Sequence, residues 1–280
     1  MKCIAFDLDG TILNSDGRVS KKTVSVLHKA SDAGIVLVCC TGRDYGAAKS
    51  AISPLGLEKR HAYFCGMNGQ CIHSFQDQKI IEKDVLKEDE VVHLENFIRN
   101  RFCLAIVQKE NQMTVVYGEK KKWIADIYVK VSRFFWFYRQ NDSYNQIESV
   151  SIQNFKGERY AKVCFTGLPW TLNQIKKQIG QREPNKYACS MVASFWMECQ
   201  TSDINKAEAL KIIAEKENFS MEDIIAFGDG ENDISMLQVA GKGIAMKNAM
   251  RNVKKHADDI CDSNKNDGVA KCIEQLLKMI

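Results

Sequence analysis

Apolar residues in this chain recur in two spacings. Unbroken apolar runs such as MKCIAF (1–6), IVLVCC (35–40) and IIAFGD (224–229) have the pattern of strands buried on both faces of a parallel sheet. Between them lie stretches with helical spacing. Ser20 is a good N-cap for a helix through VSVLHKASDA, in which Val24, Leu27, His28 and Ser31 face together and Gly34 closes the element. A second helix runs from Asp44 to about Ala51 and stops near Pro54. HAYFC (61–65) then reads as a third strand, and CIHSFQDQKIIEK (71–83) as a β-hairpin turning at Gln76-Asp77. This alternation is the rhythm of a doubly wound sheet.

The pattern changes between residues 84 and 188. EDEVVHLENFIRN is an amphipathic helix, LAIVQ and TVVYG are strands, a basic-aromatic stretch follows, and YAKVCFTG and a helix ending near Gln181 complete the segment. From 189 onward strands at MVASFWMEC, IIAFGD and GIAM alternate with helices at KAEALKIIAEKEN, after Asn232, and in VAKCIEQLLKMI. The expected fold is α/β: a doubly wound parallel-sheet core formed by 1–83 and 189–280, with a smaller α/β domain, 84–188, inserted into it.

Composition narrows the classes of partner. Of 280 residues 45% are hydrophobic, enough for one core plus an inserted domain, and Lys plus Arg exceed Asp plus Glu by 39 − 35 = 4. So small an excess argues against a nucleic-acid or anionic-membrane partner. The basic-aromatic stretch 118–140 sets lysines among Trp123, Phe134, Phe135, Trp136 and Phe137. Base stacking is one reading of it; a helix with a core face and a solvated basic face is the simpler one. Eleven cysteines without a CxxC spacing read as small core residues in a reducing cytoplasm. No charged n-region with a long apolar h-region and no membrane-length apolar run appears, so the expected location is cytoplasmic. The five histidines show no metal-ligand spacing.

Candidate chemistry gathers where open α/β sheets bind ligands, at the carboxyl ends of strands. Asp7-Leu8-Asp9-Gly10-Thr11, Thr41-Gly42-Arg43, Lys206 with its helix, and Gly228-Asp229-Gly230-Glu231-Asn232-Asp233 all fall there. Asp7, Asp229 and Asp233 would concentrate negative charge and so require a cation; oxygen ligands without His or Cys favour Mg²⁺. Strand alternation places Asp7 and Asp9 on one face, with Leu8 turned to the core. One carboxyl is then available to attack phosphorus and the other to move protons. Thr41, the amides around Gly42, and Lys206 at a helix start all suit an anion. With neither a Gly-rich triphosphatase loop nor a GxGxxG turn, a phosphate monoester is favoured over a nucleotide cofactor. Arg43 is either a substrate contact or one half of a surface salt bridge.

These residues, in this order, resemble the haloacid dehalogenase-like superfamily of phosphatases: DLDGT, TGR, a lysine before an AL-containing helix, and GDGENDISML. MNGQ, GIAMKNA and NKNDGVA resemble its Cof-type branch, which carries a large α/β cap. The resemblance implies that Asp7 is the nucleophile, that Asp9 is the general acid/base, and that Thr41 and Lys206 hold the phosphoryl group. It also implies Mg²⁺ held by the Asp7 side chain, the Asp9 backbone carbonyl and Asp229, with Asn232 and Asp233 close behind, and a site-lining Asn68. Where the family commonly has Lys-Gly, this chain has Lys206-Ala207. The implied activity is hydrolysis of a small phosphorylated metabolite such as a sugar phosphate, with the cap supplying discrimination. A phosphotransferase or phosphomutase on the same core is the nearest rival, and a non-catalytic phospho-ligand sensor the more distant one.

Overall fold

A computed structural model describes residues 1–82, 86–109, 112–139, 146–156 and 160–278. The chain divides into two compact units, Met1–Lys83 with Ile204–Ile280, and Asp84–Asp203.

Unit 1 begins with β1 (Cys3–Phe6), all four residues of which are fully buried. Helix α1 (Lys21–Asp32) starts where the Ser20 hydroxyl accepts a hydrogen bond from the Thr23 amide at 3.0 Å. Its buried residues are Thr23, Val26, Leu27 and Ala30 rather than the face carrying Val24, His28 and Ser31. The alternative stripe is shifted round the helix by about one position, a difference that helical periodicity leaves open in a sequence with scattered apolar residues. Next come β2 (Val36–Cys40), α2 (Tyr45–Ile52) capped by Asp44, β3 (Ala62–Gly66), and an antiparallel pair, β4 (Cys71–Ser74) and β5 (Ile80–Glu82).

Unit 2 contains α3 (Glu88–Asn96), β6 (Cys103–Lys109), β7 (Gln112–Tyr117), α4 (Lys122–Arg139) and β8 (Gln146–Ser151), followed by β9 (Lys162–Gly167), α5 (Pro169–Arg182), β10 (Tyr187–Ala193) and β11 (Trp196–Thr201). Its six strands form one sheet in the order β10-β11-β9-β6-β7-β8. Residues of α3 and α5 share one apolar cluster with it, and residues of α4 share another. The basic-aromatic stretch is thus largely a helix, with Ala125 and Val129 buried against the sheet; the side chains of 134–140 lie outside the described residues. Strand β8, QIESVS, carries too few apolar residues to give a strand pattern in the sequence.

The chain re-enters unit 1 with α6 (Lys206–Glu217), β12 (Ile224–Gly228), α7 (Ile234–Val239), β13 (Lys242–Met246), α8 (Arg251–Lys255), β14 (Asp259–Cys261) and α9 (Gly268–Leu277). The unit 1 sheet has the order β14-β13-β12-β1-β2-β3-β4-β5, parallel from β14 to β3. Re-entry falls at Ile204 and not at 189, because MVASFWMEC belongs to the β10–β11 hairpin, and β11 hydrogen-bonds to β9. The short elements α8 and β14 carry no periodic signal and were also absent from the sequence reading. Seven cysteines are buried and the other four partly so, and all eleven are free. Among the described residues no helix is long and apolar enough to cross a membrane.

Strand order fixes where a ligand site can lie. From β1 the chain builds the sheet outward through β2 and β3 on one side; on the other side β12 pairs with β1 and leads out to β13 and β14. The β1–β12 boundary is therefore the topological switch point, and a crevice opens beyond the strands' carboxyl ends.

The Ser20 cap gives the first expected outcome. Ser20→Ala removes the acceptor for the Thr23 amide and lowers stability by about 1 kcal/mol, whereas Ser20→Asp, which retains an acceptor, loses distinctly less. Urea denaturation of the three proteins checks this, and equal losses in both variants would show that the cap is not what stabilises α1.

Candidate active site

Strand β1 ends at Phe6, one residue before the first aspartate. The chain then makes a wide turn over Leu8–Ile12, closed by a hydrogen bond from the Leu13 amide to the Leu8 carbonyl at 3.0 Å. Because the two aspartates have left the strand, alternation no longer governs them. Asp7 is buried, whereas the Asp9 side chain is 58% exposed. Leu8 does point into the core, as expected.

Asp7 is met by Lys206, the first residue of α6, whose ammonium is fully buried. It donates to Asp7 Oδ1 at 2.6 Å and to Asp233 Oδ1 at 2.5 Å. Burial alone would lower the Lys206 pKa, but the charges of Asp233 and Asp7, and their hydrogen bonds, outweigh it and hold the ammonium protonated. The other oxygen of Asp233 accepts from the amides of Asp229 and Gly230, each at 2.9 Å. Asp233 is thereby fastened to the loop after β12 and shapes it. Asn205 caps α6 by accepting from the Glu208 amide at 3.0 Å, and Ala207 is buried in the first turn, so the helix starts cleanly with alanine after the lysine.

Asp229 stands beside this pair, accepting from the Thr11 hydroxyl at 2.9 Å. Burial, and then the charge of Asp233, push its carboxyl up to about 7. Burial likewise raises Asp7 well above the ordinary carboxylate range, with Lys206 opposing. Carboxylate oxygens of Asp7, Asp229 and Asp233 lie within 4.8 Å of one another. Three carboxylates against one ammonium leave a formal charge of −3 + 1 = −2 in a desolvated crevice, which a divalent cation would neutralise. The donors are all hard oxygens, and the residues therefore fit Mg²⁺ better than zinc.

The remaining residues singled out in the sequence surround this cluster. Thr41 is buried at the end of β2, and its hydroxyl accepts from the Arg43 amide at 3.1 Å, with Gly42 between them. Arg43 makes a two-pronged ion pair with Asp9: Nε lies 2.7 Å from Oδ2, and Nη2 binds Oδ1. Both prongs end on one carboxylate, so the pair holds Asp9 against Arg43. Asn232 donates to Asn68 Oδ1 at 2.9 Å, and Asn68 is buried with a left-handed backbone, φ 60°. Asn68 therefore joins the β3 loop to the β12 loop, beyond the turn-shaping role its Asn-Gly context suggests.

Three supporting residues had no role in the sequence reading. Thr11 orients Asp229, as above. Asn248 donates to the Gly10 carbonyl at 2.7 Å, and Asn264 donates to the Leu13 carbonyl at 2.7 Å while its amide binds Asn248 Oδ1 at 3.0 Å. Each lies within a short motif (DLDGT, GIAMKNA or NKNDGVA), but nothing in an isolated asparagine says which carbonyl it will reach. Gly10 itself is obligatory: its φ is +77°, and a Cβ there would stand 2.2 Å from Asp229 Oδ2.

The histidines are occupied elsewhere or have no metal-like grouping: His61 pairs with Glu217 at 2.9 Å, His93 with Glu183 at 2.8 Å, and His28 contacts the Leu55 carbonyl.

An acidic crevice at the switch point of a parallel sheet, organised round a buried lysine and suited to a hard cation and an anionic ligand, defines a class of α/β hydrolytic enzymes. The chain belongs to the haloacid dehalogenase-like hydrolase family, whose model matches residues 4–273. It is 26% identical over 294 residues to the 5-amino-6-(5-phospho-D-ribitylamino)uracil phosphatase YwtE of Bacillus subtilis, covering 99% of this chain and 98% of that protein. Phosphatase YwpJ of the same organism is 29% identical over 297 residues, with 99% and 100% covered. Among solved structures, a haloacid dehalogenase-like hydrolase from Bacteroides thetaiotaomicron superposes with a TM-score of 0.76 at 26% identity, covering 98% of this chain and 99% of that one.

The shared lysine yields the second expected outcome. In metal-free buffer, Lys206→Met leaves Asp7 and Asp233 buried without their cation and costs about 3–5 kcal/mol. Thermal or urea unfolding under chelation measures it. A loss under about 1 kcal/mol would mean that the carboxylates are already neutral and the ion pairs inconsequential.

Proposed function

We propose that this protein is a Mg²⁺-dependent phosphatase that hydrolyses small phosphorylated metabolites through an aspartyl-phosphate on Asp7. The observation that carries this reading is the acidic group in which buried Asp7 and Asp233 share Lys206 and half-buried Asp229 stands beside them. Such a crevice lacks two positive charges and has a nucleophile at its base. Relatives named as phosphatases support the reaction class, and YwtE, named for a phosphorylated ribityl compound, supports a small polyhydroxylated phosphomonoester.

The roles follow from the chemistry of each group. Asp7, held at one oxygen by Lys206, attacks phosphorus with its carboxylate; the bond from phosphorus to the leaving oxygen breaks, and that oxygen takes a proton from Asp9. Water then attacks the phosphoryl-enzyme, Asp9 accepts its proton, and the Asp7–phosphorus bond breaks to release phosphate. The Asp9 carboxyl is partly exposed, within reach of solvent water, and it leaves its pair with Arg43 to carry the proton. Thr41, the amides around Gly42, Lys206 and Asn232 surround the phosphoryl oxygens with donors. Mg²⁺ would be held by the Asp7 and Asp229 side chains and the Asp9 carbonyl, with Asp233 behind them. Once bound it would offset charge on the phosphoryl oxygens. Unit 2 serves as the cap, the part of the chain that distinguishes among leaving groups, and the protein acts in the cytoplasm.

The metal requirement is checked with chelated enzyme. Activity is absent without metal, returns with Mg²⁺, and returns poorly with Ca²⁺, which takes more ligands at longer distances than this small crevice supplies. Full activity without metal, or equal rates with the two ions, would refute it.

Division of labour between the two aspartates gives the decisive experiment. Asp7→Asn forms no phosphoryl-enzyme on any substrate. Asp9→Asn keeps its backbone carbonyl and loses proton transfer, a contribution of about 10²–10⁴-fold. A sugar alkoxide needs that proton to leave, whereas nitrophenolate does not. Asp9→Asn therefore releases a burst of nitrophenolate stoichiometric with enzyme, followed by slow turnover, and Asp7→Asn shows no burst. A burst from the Asp7 variant, or equal losses on aryl and sugar phosphates in the Asp9 variant, would overturn the assignment. Free phosphate released from a sugar phosphate separates hydrolysis from transfer to a second acceptor.

A further inference from the structure

Three strand termini meet at one end of the unit 2 sheet. The start of β6 lies opposite the end of β9, Cys103 facing Gly167, and the end of β9 lies opposite the start of β11, Thr166 facing Trp196. The Gly167 amide and the Thr166 hydroxyl both donate to the Phe195 carbonyl, at 3.3 Å and 3.1 Å. Around these termini stand Phe102, Trp170 and Phe195, exposed by 65%, 63% and 63%, with Leu168 and Val192 each 42% exposed. Large apolar side chains are ordinarily exposed singly; here five are brought to one edge by strand register.

Charge is sparse in the same region and confined to its margin. Residues 102–108, 163–175 and 187–197 contain no Asp, Glu, Lys or Arg. Arg101, next to Phe102, turns its guanidinium to Gln174 and Gln178 on α5, at 3.1 Å and 2.9 Å.

We propose that this end of unit 2 is a self-association surface, joining two copies of the chain about a two-fold axis. A two-fold sets a surface against its own image, so a patch carrying a net charge of one sign meets the same sign on its partner; a patch without net charge avoids that repulsion. An anionic membrane or a nucleic acid would require cations that the patch lacks. Helix α4 shows the contrast. It exposes Trp123, Ile127 and Val131, but Lys122, Lys130 and Arg133 outnumber Asp126 on the same helix, and that net positive charge opposes pairing with its own image. At about 150–250 Å² per aromatic side chain, the exposed fractions at the sheet end sum to about 500 Å² per copy, or about 1,000 Å² in a symmetric pair, the lower bound for a specific interface. Such a contact forms a reversible, concentration-dependent dimer.

Analytical ultracentrifugation of the full chain over a wide concentration range, at low and high salt, tests this. The average mass rises from monomer toward dimer, and high salt does not weaken the association. Trp170→Ser with Phe195→Ser raises the dissociation constant by at least about tenfold, and Phe102→Ser raises it independently. Trp123→Ser with Ile127→Ser leaves it unaltered. All substituted residues are exposed, and circular dichroism confirms that each variant is folded. A monomer at every concentration, a dimer that survives loss of Trp170 and Phe195, dissociation by salt, or binding to neutral vesicles by a chain that stays monomeric would each overturn the proposal.

Discussion

The acidic crevice of unit 1 is organised round one buried ammonium. Lys206 is shared between Asp7 and Asp233, residues 199 and 27 positions away in the chain. Removing three carboxylates from water is severely unfavourable, and one lysine offsets only part of that penalty. The site is therefore stable enough to persist and still short of positive charge. In the proposed reaction that shortfall is what a small divalent ion would fill.

A second layer fixes the geometry that the lysine alone cannot. Asn248 and Asn264 grip the carbonyls of Gly10 and Leu13, one in the middle of the wide turn that carries Asp9 and one just past its end. Asn68 and Asn232 link two neighbouring loops. These are neutral amides, which align backbone without adding to an already crowded field. Charge sits at the centre of the site and dipoles hold its margins, an arrangement that preserves orientation while the charges change during reaction.

Much of this was legible in the sequence because strand ends, helix caps and acidic motifs are local signals. The apolar runs of β1, β2, β3 and β12 and the cap of α1 needed only a few adjacent residues to be recognised, and their order placed Asp7, Thr41, Lys206 and Asp229 at one sheet edge. What stayed hidden depends on distant partners. MVASFWMEC has the composition of a strand in either unit, and only its hydrogen bonds to β9 assign it to the second. Strand β8 owes its place to parallel pairing with β7 and not to its own polar sequence. The Arg43–Asp9 pair joins residues 34 positions apart, and no spacing rule distinguishes it from a surface salt bridge.

The insertion of unit 2 has a further consequence, for the order in which the chain acquires structure. All six of its strands lie between residues 103 and 201, so its sheet is complete before the last segment of unit 1 has been synthesised. Strand β1, made first, must wait for β12, its partner from residue 224 onward, and until then one edge of a fully apolar strand lacks its cover. Unit 2 thus emerges as an early, contiguous folding unit, while unit 1 closes late through contacts of very high sequence separation. The crevice, which joins Asp7 to Asp233, cannot close until most of the chain has been made.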